Sequence, residues 1–502
     1  MIARHELRME LHAPGMTALH RAGLGGLWMT LEAIEHDPRL MSAYTALGEW
    51  ERAPRAVILK WTGAGATLFQ RLLQDAYPVT SEGLMWFLAD GDPLAHHPAH
   101  ACTVHEAMLQ SFLQHGRSRR RRSGVPRATL AVEVDGVPKA MVFRPIASHN
   151  LRDAPFDPLR PGEVVGWLLP GGTERHSGLP GATRLQEPPA RLLPLRFAPI
   201  GCAFFRVRHR LADGKWSDRT AVGIPELEDL EQFARLRAAV PRSSLEYLWT
   251  AGPGEAALRL LFLEAAGTHA RHARPHACEV TAFDKVPWSP QPAVRVSVMR
   301  VDEGKAAPGR RAYLAVRRAL PARPRSTEDG TIWWSVPQVP ELAAANVVSG
   351  RAWWRGFADF AIQHRRDLPY EQEGLHMVVT STDALPDSAE RAFVEACHEA
   401  WRRRLGELGE RARREGSEFR ALVDRDYERL RIRFSRAKTA ADLRNAVTDF
   451  WARARAQETL QEHWPDLLPF LDARRWREGR DLALLALASY GRSEESKKEA
   501  SA

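Results

Sequence analysis

Few residue groupings in this chain of 502 residues have the composition to do chemistry. His36-Asp37 is the doublet of a metal-dependent phosphohydrolase, but such a site needs more His and Asp ligands on the same ion. His96, His97, His100, Cys102 and His105 form one set of soft ligands, and His269, His272, His276 and Cys278 form a second. Either has ligands enough for zinc, yet neither has a zinc-site spacing, and the interleaved Ala, Arg and Pro read as solvated loop or basic surface. Gly63-Ala-Gly65-Ala lacks the Lys and the full spacing of a phosphate-cradling loop. No Ser or Cys stands in a Gly-x-Ser-x-Gly elbow. The reading is no enzyme, no cofactor and no metal site.

What remains is arginine mixed with large aromatics. Between His115 and Arg127 stand Arg117, Arg119, Arg120, Arg121, Arg122 and Arg127 with no acid among them. Solvated charge runs usually mix signs, so this one is expected to meet a polyanion. The second segment, Asn346-Val-Val-Ser-Gly-Arg-Ala-Trp-Trp-Arg-Gly-Phe357, sets Arg351, Trp353, Trp354 and Arg355 between Gly350 and Gly356. Arginine supplies phosphate contacts, and an exposed indole stacks on a splayed base or wedges a duplex step. The alternative is that the aromatics are core and the arginines snorkel. If one tryptophan is buried and its neighbour touches a ligand, the two should respond differently to substitution.

The whole chain carries 71 Lys and Arg against 62 Asp and Glu, a net charge of +9. The excess lies in the front three quarters, because the stretch from Asp387 has 24 basic and 22 acidic residues. No run approaches the roughly 18 to 20 apolar residues of a membrane span. Four scattered cysteines suit a reducing compartment, and the charged start does not build a signal peptide, so a cytoplasmic location without membrane attachment is expected.

The elements that must position these residues are mixed in type. Leu24, Leu27, Trp28, Leu31 and Ile34 mark a helix face that ends near Asp37-Pro38. Gly23, Gly25 and Gly26 on it point to a close backbone neighbour or to ordinary packing. Val57–Trp61 and Gly83–Leu88 read as strands and Ala64–Leu73 as a helix, while Thr129–Val134 and Lys139–Phe143 flank Asp135-Gly136 as a hairpin. Residues 150–199 are dense in Pro and Gly and read as an irregular excursion. Strands return at Val294–Val298 and Thr331–Val336. Beyond Pro386 every segment is helical, with caps at Asp387 and Thr439 and a stop at Gly416. The expected class is α+β: a mixed α/β body followed by an antiparallel helical bundle. Its parts are 1–226 (with the basic loop 115–127 and the excursion 150–199), 227–386 and 387–502, ending in a polar tail.

Leu11-His-Ala-Pro-Gly-Met-Thr-Ala-Leu-His-Arg-Ala-Gly-Leu-Gly-Gly-Leu27, together with the Asn346–Phe357 motif, resembles the large subunit of type I CRISPR-Cas surveillance complexes (Cascade). The resemblance is to the myxobacterial-type branch that includes fruiting-body developmental protein T. It implies a non-catalytic subunit beside the guide RNA 5′ handle that inspects protospacer-adjacent duplex DNA, helps open it and recruits a helicase-nuclease. The implied partners are guide RNA, target double-stranded DNA, the backbone and handle-binding subunits, and the helicase-nuclease. Two rival readings are a stand-alone basic nucleic-acid-binding regulator and a metal-dependent nuclease or phosphohydrolase. Related systems make a small subunit by internal initiation. Met377 is placed for such a start before the bundle, unless it is simply a strand residue beside Val378 and Val379.

Overall fold

A computed structural model describes residues 3–92, 98–134, 137–166, 168–169, 185–210, 216–239, 245–262, 275–284, 294–326, 332–454 and 458–490. The chain forms two compact units, one of residues 1–304 and 322–336, the other of residues 305–321 and 337–502. The first mixes sheets and helices; the described elements of the second are helices. This is the α+β class expected from the sequence. No described helix is long and apolar enough to cross a membrane.

In the first unit, Arg4–Glu10 and Gly48–Ala53 flank Ala56–Thr62 in a three-stranded antiparallel sheet. Against this core runs the helix Ala18–His36. Thr17 and His20 close a capping box at its start, and Asp37 ends it and caps the following helix, Pro38–Tyr44. Nearly every position from Leu19 to Leu31 is buried, because a second helix, Pro189–Gly201, presses backbone to backbone against it. A Cβ on Gly23 would sit 1.9 Å from the Pro194 carbonyl oxygen, and one on Gly26 would sit 2.3 Å from that of Phe197. From the other side, a Cβ on Gly201 would come within 1.8 Å of the Ala22 oxygen. Gly23 and Gly26 thus mark a backbone approach, whereas a Cβ on Gly25 would meet the side chains of Leu227 and Phe233.

A five-stranded sheet follows in the order Trp249–Thr250, Ala203–Arg210, Trp216–Pro225, Ala277–Asp284, Val294–Asp302. Its pairs are antiparallel except the first. Val222 faces Thr281 and Ile224 faces Glu279 across the interval containing Glu226, so the residues on either side of that position share one sheet and the soft boundary there does not divide the structure. The expected hairpin forms as Ala128–Val134 with Val137–Phe143; its Asp135-Gly136 turn lies outside the described residues. Gly83–Leu88 is not a strand, since only the isolated bridge Val79 to Met85 forms there. The excursion 150–199 is corrected at its end, where Pro189–Gly201 is a buried helix despite Pro194 and Pro199 within it.

The second unit contains the bundle and more. Asp387 caps Ser388–Glu415, which stops at Gly416 with φ +62°. Phe419–Ser435, Ala440–Arg453 (opened by the Thr439–Asp442 capping box), Glu458–Leu467 and the buried Trp476–Ser489 complete it. Helices Arg310–Ala319, Val339–Val348, Phe357–Gln363 and Leu368–Val379 belong to the same unit. Met377 therefore lies inside a helix, and its side chain is exposed.

Two alanine substitutions should separate a packed glycine from a free one. Gly201→Ala is expected to destabilise the chain by about 1–3 kcal/mol or more, because backbone atoms cannot yield as a flexible side chain can. Gly406→Ala, exposed within Ser388–Glu415 with nothing near its Cβ position, should stabilise by about 0.5–1 kcal/mol. Chemical denaturation of each variant checks both signs.

Candidate nucleic-acid interface

The arginine run does not behave as one patch. Arg119, Arg120 and Arg121 form a short strand paired with Ile146–His149. Alternation along a strand sends neighbours to opposite sides. Arg119 turns inward, where its guanidinium donates to the carbonyls of Leu109 (2.7 Å) and Leu113 at the end of the helix Pro98–Gln110. Burial pushes its pKa down to about 10. Arg119 is thus a tie between a strand and the residues closing a helix, not a free phosphate ligand. Arg122 reaches the Ser81 carbonyl but stays exposed. Arg117, Arg120, Arg121 and Arg127 are exposed and form no ion pair with any described residue.

The strand edge opens into a cleft of about 360 Å³ whose lining includes Arg119, Arg121, Arg122 and Arg144 and no carboxylate. Arg144 was not among the residues singled out from the sequence. It is held in a fork by Glu106, with Nε at 3.0 Å and Nη2 at 2.7 Å from Oε2, while its backbone N–H donates to Oε1 at 2.7 Å. Burial alone would raise the Glu106 pKa, but Arg144 holds it below the usual carboxylate range. Beneath the cleft His105 is fully buried, its Nδ1 accepting from Met85 N–H (3.1 Å) and its Nε2 lying 2.9 Å from the Arg144 carbonyl. Three of the four guanidiniums are therefore fixed by carbonyls or Glu106, which lowers the entropy lost when an anion docks. Only Arg121 keeps all its donors for a ligand among the described groups.

The second arginine and tryptophan segment is built differently. Residues 351–356 form a turn between Gly350 (φ +68°) and Gly356 (φ +76°), so adjacent side chains need not point to opposite sides. Trp353 is 2% exposed and Trp354 is 1% exposed. Trp353 Nε1 donates to the Ala384 carbonyl (2.9 Å) and Trp354 Nε1 to Glu390 Oε2 (3.1 Å). Asn346 clamps the turn through the Trp353 and Arg355 carbonyls at 2.8 and 2.7 Å, and Asp481 accepts from the N–H groups of Gly356 and Ala358. Arg355 pairs with Glu478 at 2.7 Å. Both tryptophans are core, and neither offers a face to a base; the expectation of one outward indole is corrected. Only Arg351 is exposed without an ion pair to described residues, beside a cleft of about 560 Å³ that mixes arginines with Asp359, Glu390, Glu478 and Asp481.

Where they are described, the metal and catalytic candidates serve as helix-end, ion-paired or buried groups. The His36 Nδ1 lies 2.8 Å from the Glu32 carbonyl, and Asp37 accepts from the N–H groups of Arg39 and Leu40. Cys102 and Cys278 are buried, and burial raises both thiols, that of Cys102 to about 12. His276 lies 3.0 Å from Glu226, which also pairs with Arg300. His96, His97, His269 and His272 lie outside the described residues, and among the described ones no group of three metal-ligating side chains converges.

Compared with known families, the chain matches the DevT N-terminal domain over residues 8–196 and the DevT C-terminal domain over residues 382–502. It is 29% identical over 523 residues to the CRISPR-associated protein Cas8a1/Csx13 of Myxococcus xanthus (strain DK1622), covering 96% of this chain and 88% of the relative.

Two outcomes follow from the buried turn. A fragment starting at Met377 loses Asn346, Trp353 and Trp354, takes the Trp354 N–H from Glu390 and removes the Gly356 and Ala358 N–H groups from Asp481. Two buried tryptophans at about 3–5 kcal/mol each match the whole stability of a small domain, ~5–15 kcal/mol. Fragment 305–502 should therefore melt cooperatively and fragment 377–502 should not; a comparable transition in both would show that the turn is dispensable. The second outcome concerns Glu390, whose carboxyl is raised by burial, with Asp387 and Glu478 adding repulsion. A raised carboxyl stabilises the fold below the unfolded pKa, and that contribution is lost as pH rises through the folded pKa. Glu390→Gln keeps the acceptor for Trp354, so it should raise the melting temperature at neutral pH, with the gain vanishing below the ordinary carboxylate range.

Proposed function

We propose that this chain, which belongs to the DevT family, is the large subunit of a type I CRISPR RNA-guided DNA surveillance complex, and that its arginine cleft holds nucleic-acid backbone. The observation that carries the second half is the acid-free cleft at Arg121, Arg122 and Arg144, flanked by exposed Arg117, Arg120 and Arg127. A cluster of guanidiniums with no lining carboxylate attracts a chain of phosphates from either strand type without reading sequence. Such a subunit leaves sequence to guide pairing and contributes backbone contact. On this reading the partners are guide RNA at its 5′ handle, protospacer-adjacent duplex DNA, the backbone and handle-binding subunits, and a helicase-nuclease recruited after strand opening. The role is non-catalytic: it asks the residues for binding and deformation and for no bond cleavage.

The acid-free cleft also fits the rival of a stand-alone basic regulator, and the two differ in what travels with the protein. Expressed with its neighbouring subunits and a repeat array, the chain should purify with bound guide RNA; purification free of RNA and of those subunits would overturn the CRISPR assignment.

The backbone contact has its own test. Replacing Arg117, Arg120, Arg121 and Arg127 with Ala removes exposed charges and spares Arg119, whose loss would disturb packing. Binding should weaken to a similar degree on all sequences, and the log-log salt slope on duplex DNA should flatten by about 3 to 4 units if four contacts vanish. Unchanged affinity and slope would make the run a solvated loop.

A further inference from the structure

The bundle helix Glu458–Leu467 turns a surface to solvent that differs in kind from the arginine clefts. From Ala456 to Ala473 the sequence has four acids, Glu458, Glu462, Asp466 and Asp472, and no Lys or Arg, in a chain where 71 of 502 residues are Lys or Arg. Positions four apart share one side of a helix. Leu460, Trp464 and Leu468 therefore form one stripe, Leu468 standing in the short 3₁₀ turn Leu468–Leu471 that continues the helix. Glu458, Glu462 and Asp466 form another, and Gln461 and Pro465 lie between the two. Trp464 is 40% exposed and Leu468 45%, while Leu460 is half-buried. The three acids, Gln461, Pro465 and Pro469 are all exposed.

This surface is held in place from within the bundle. Glu399, on the helix Ser388–Glu415, accepts from the N–H groups of Glu458 and Thr459 at 3.2 Å each and so caps the helix start. The buried Leu467 anchors its inner side, and the Trp464 ring meets that of the buried Trp451 edge to face, with centroids 6.4 Å apart. The acid stripe is not neutralised in the way that Asp426, Asp449 and Glu478 are, each of which pairs with an arginine. Among the described residues Glu462 and Asp466 approach only the imidazole of His463, at 3.9 and 3.6 Å.

We propose that this face of Glu458–Leu467 docks another protein subunit, through a segment that sets Lys or Arg against Glu458, Glu462 and Asp466 and an apolar side chain against Trp464 and Leu468. It rests on the surveillance-complex reading for the choice of partner and not on the arginine cleft. Charge decides the class of occupant. Carboxylates without an arginine partner repel phosphate, so a nucleic-acid strand is disfavoured here. A second copy docking by the same face would set acid against acid. Residues 491–502 of the chain itself carry Arg492, Lys497 and Lys498 but no apolar residue larger than alanine with which to cover an indole. A basic, apolar segment of a different protein satisfies both stripes. An exposed tryptophan is the residue type that most often dominates such contacts, and one already fixed by its neighbours loses little entropy on docking.

The test is photocrosslinking in the assembled state. The full chain, with p-benzoylphenylalanine in place of the exposed Gln461 between the two stripes, is co-expressed with its neighbouring subunits and a repeat array. A crosslink to a Lys- or Arg-bearing segment of another subunit is the expected result. A crosslink to nucleic acid, to a second copy, to residues 491–502 or to a segment without basic residues would overturn the proposal, and so would the absence of any crosslink. Purification with guide RNA and subunits but without the crosslink removes the docking surface and leaves the surveillance-complex reading standing; purification free of both removes both. Titrated against the crosslinked subunit, Trp464→Ala should weaken binding by about 30-fold or more and leave duplex DNA binding unchanged. Glu462→Lys combined with Asp466→Lys should also weaken it, and reversing the crosslinked basic residues to Glu should restore it. Should Trp464→Ala not fold, the double lysine variant decides, since both positions are exposed: subunit binding undiminished by that charge reversal refutes the docking surface.

Discussion

Arg196 is almost wholly buried, and its guanidinium donates to the carbonyls of Asn150, Ala154 and Pro155 at 3.0, 3.1 and 2.9 Å. An arginine cannot discard its proton at any ordinary pH, so a buried guanidinium must find oxygen for its donors or unfold its surroundings. Much of this chain's architecture follows from that constraint. Arg196 fastens residues 150–155 to the helix Pro189–Gly201, whose backbone lies against Ala18–His36. Arg259 does the same with the carbonyls of Glu246 and Tyr247 and with Glu255, and Arg119 joins its strand to the end of Pro98–Gln110. In an Arg-rich protein the net charge of +9 therefore overstates what is offered to a polyanion, because several cations are spent as internal cross-links.

The same constraint explains what the sequence could and could not show. The bundle helices were legible because their stops and caps are local events: Asp387, Gly416 and the Thr439–Asp442 box each act within one turn. The helix Pro189–Gly201 was not. Two internal prolines argue against a helix on local grounds, and only tertiary burial of Leu192 through Gly201 outweighs them. Gly83–Leu88 failed in the opposite direction, having a strand's composition but no partner strand to complete a ladder. The boundary near Glu226 fell at a change of local composition, while the sheet crosses it through pairings some fifty residues apart.

At the candidate site the legible part was charge and the illegible part was orientation. Six arginines in thirteen positions announce a basic segment, but only the pairing with Ile146–His149 turns Arg119 inward and leaves Arg120 outside. Arg144 carries no sequence signal at all; it enters the cleft because Glu106, thirty-eight residues earlier, anchors its fork. Trp353 and Trp354 misled for a related reason. Adjacent residues diverge on a helix or a strand, but they sit in a glycine-bounded turn, where both indoles can enter the core and each finds an acceptor for its N–H.

The two arginine clefts differ in a way that bears on their ligands. The one beside Arg351 intersperses carboxylates with guanidiniums, so most of its charge is satisfied internally, and an incoming phosphate would have to displace Glu478 or Asp359 from Arg355 or Arg480. The one beside Arg121 has no lining carboxylate to displace, which makes it the more favourable place for phosphate even though it holds fewer arginines. Phosphate contact of this kind adds affinity equally to every sequence and is lost steeply with salt. On the proposed reading the cleft therefore holds a strand without reading its bases, and identification of the target falls to pairing with a guide.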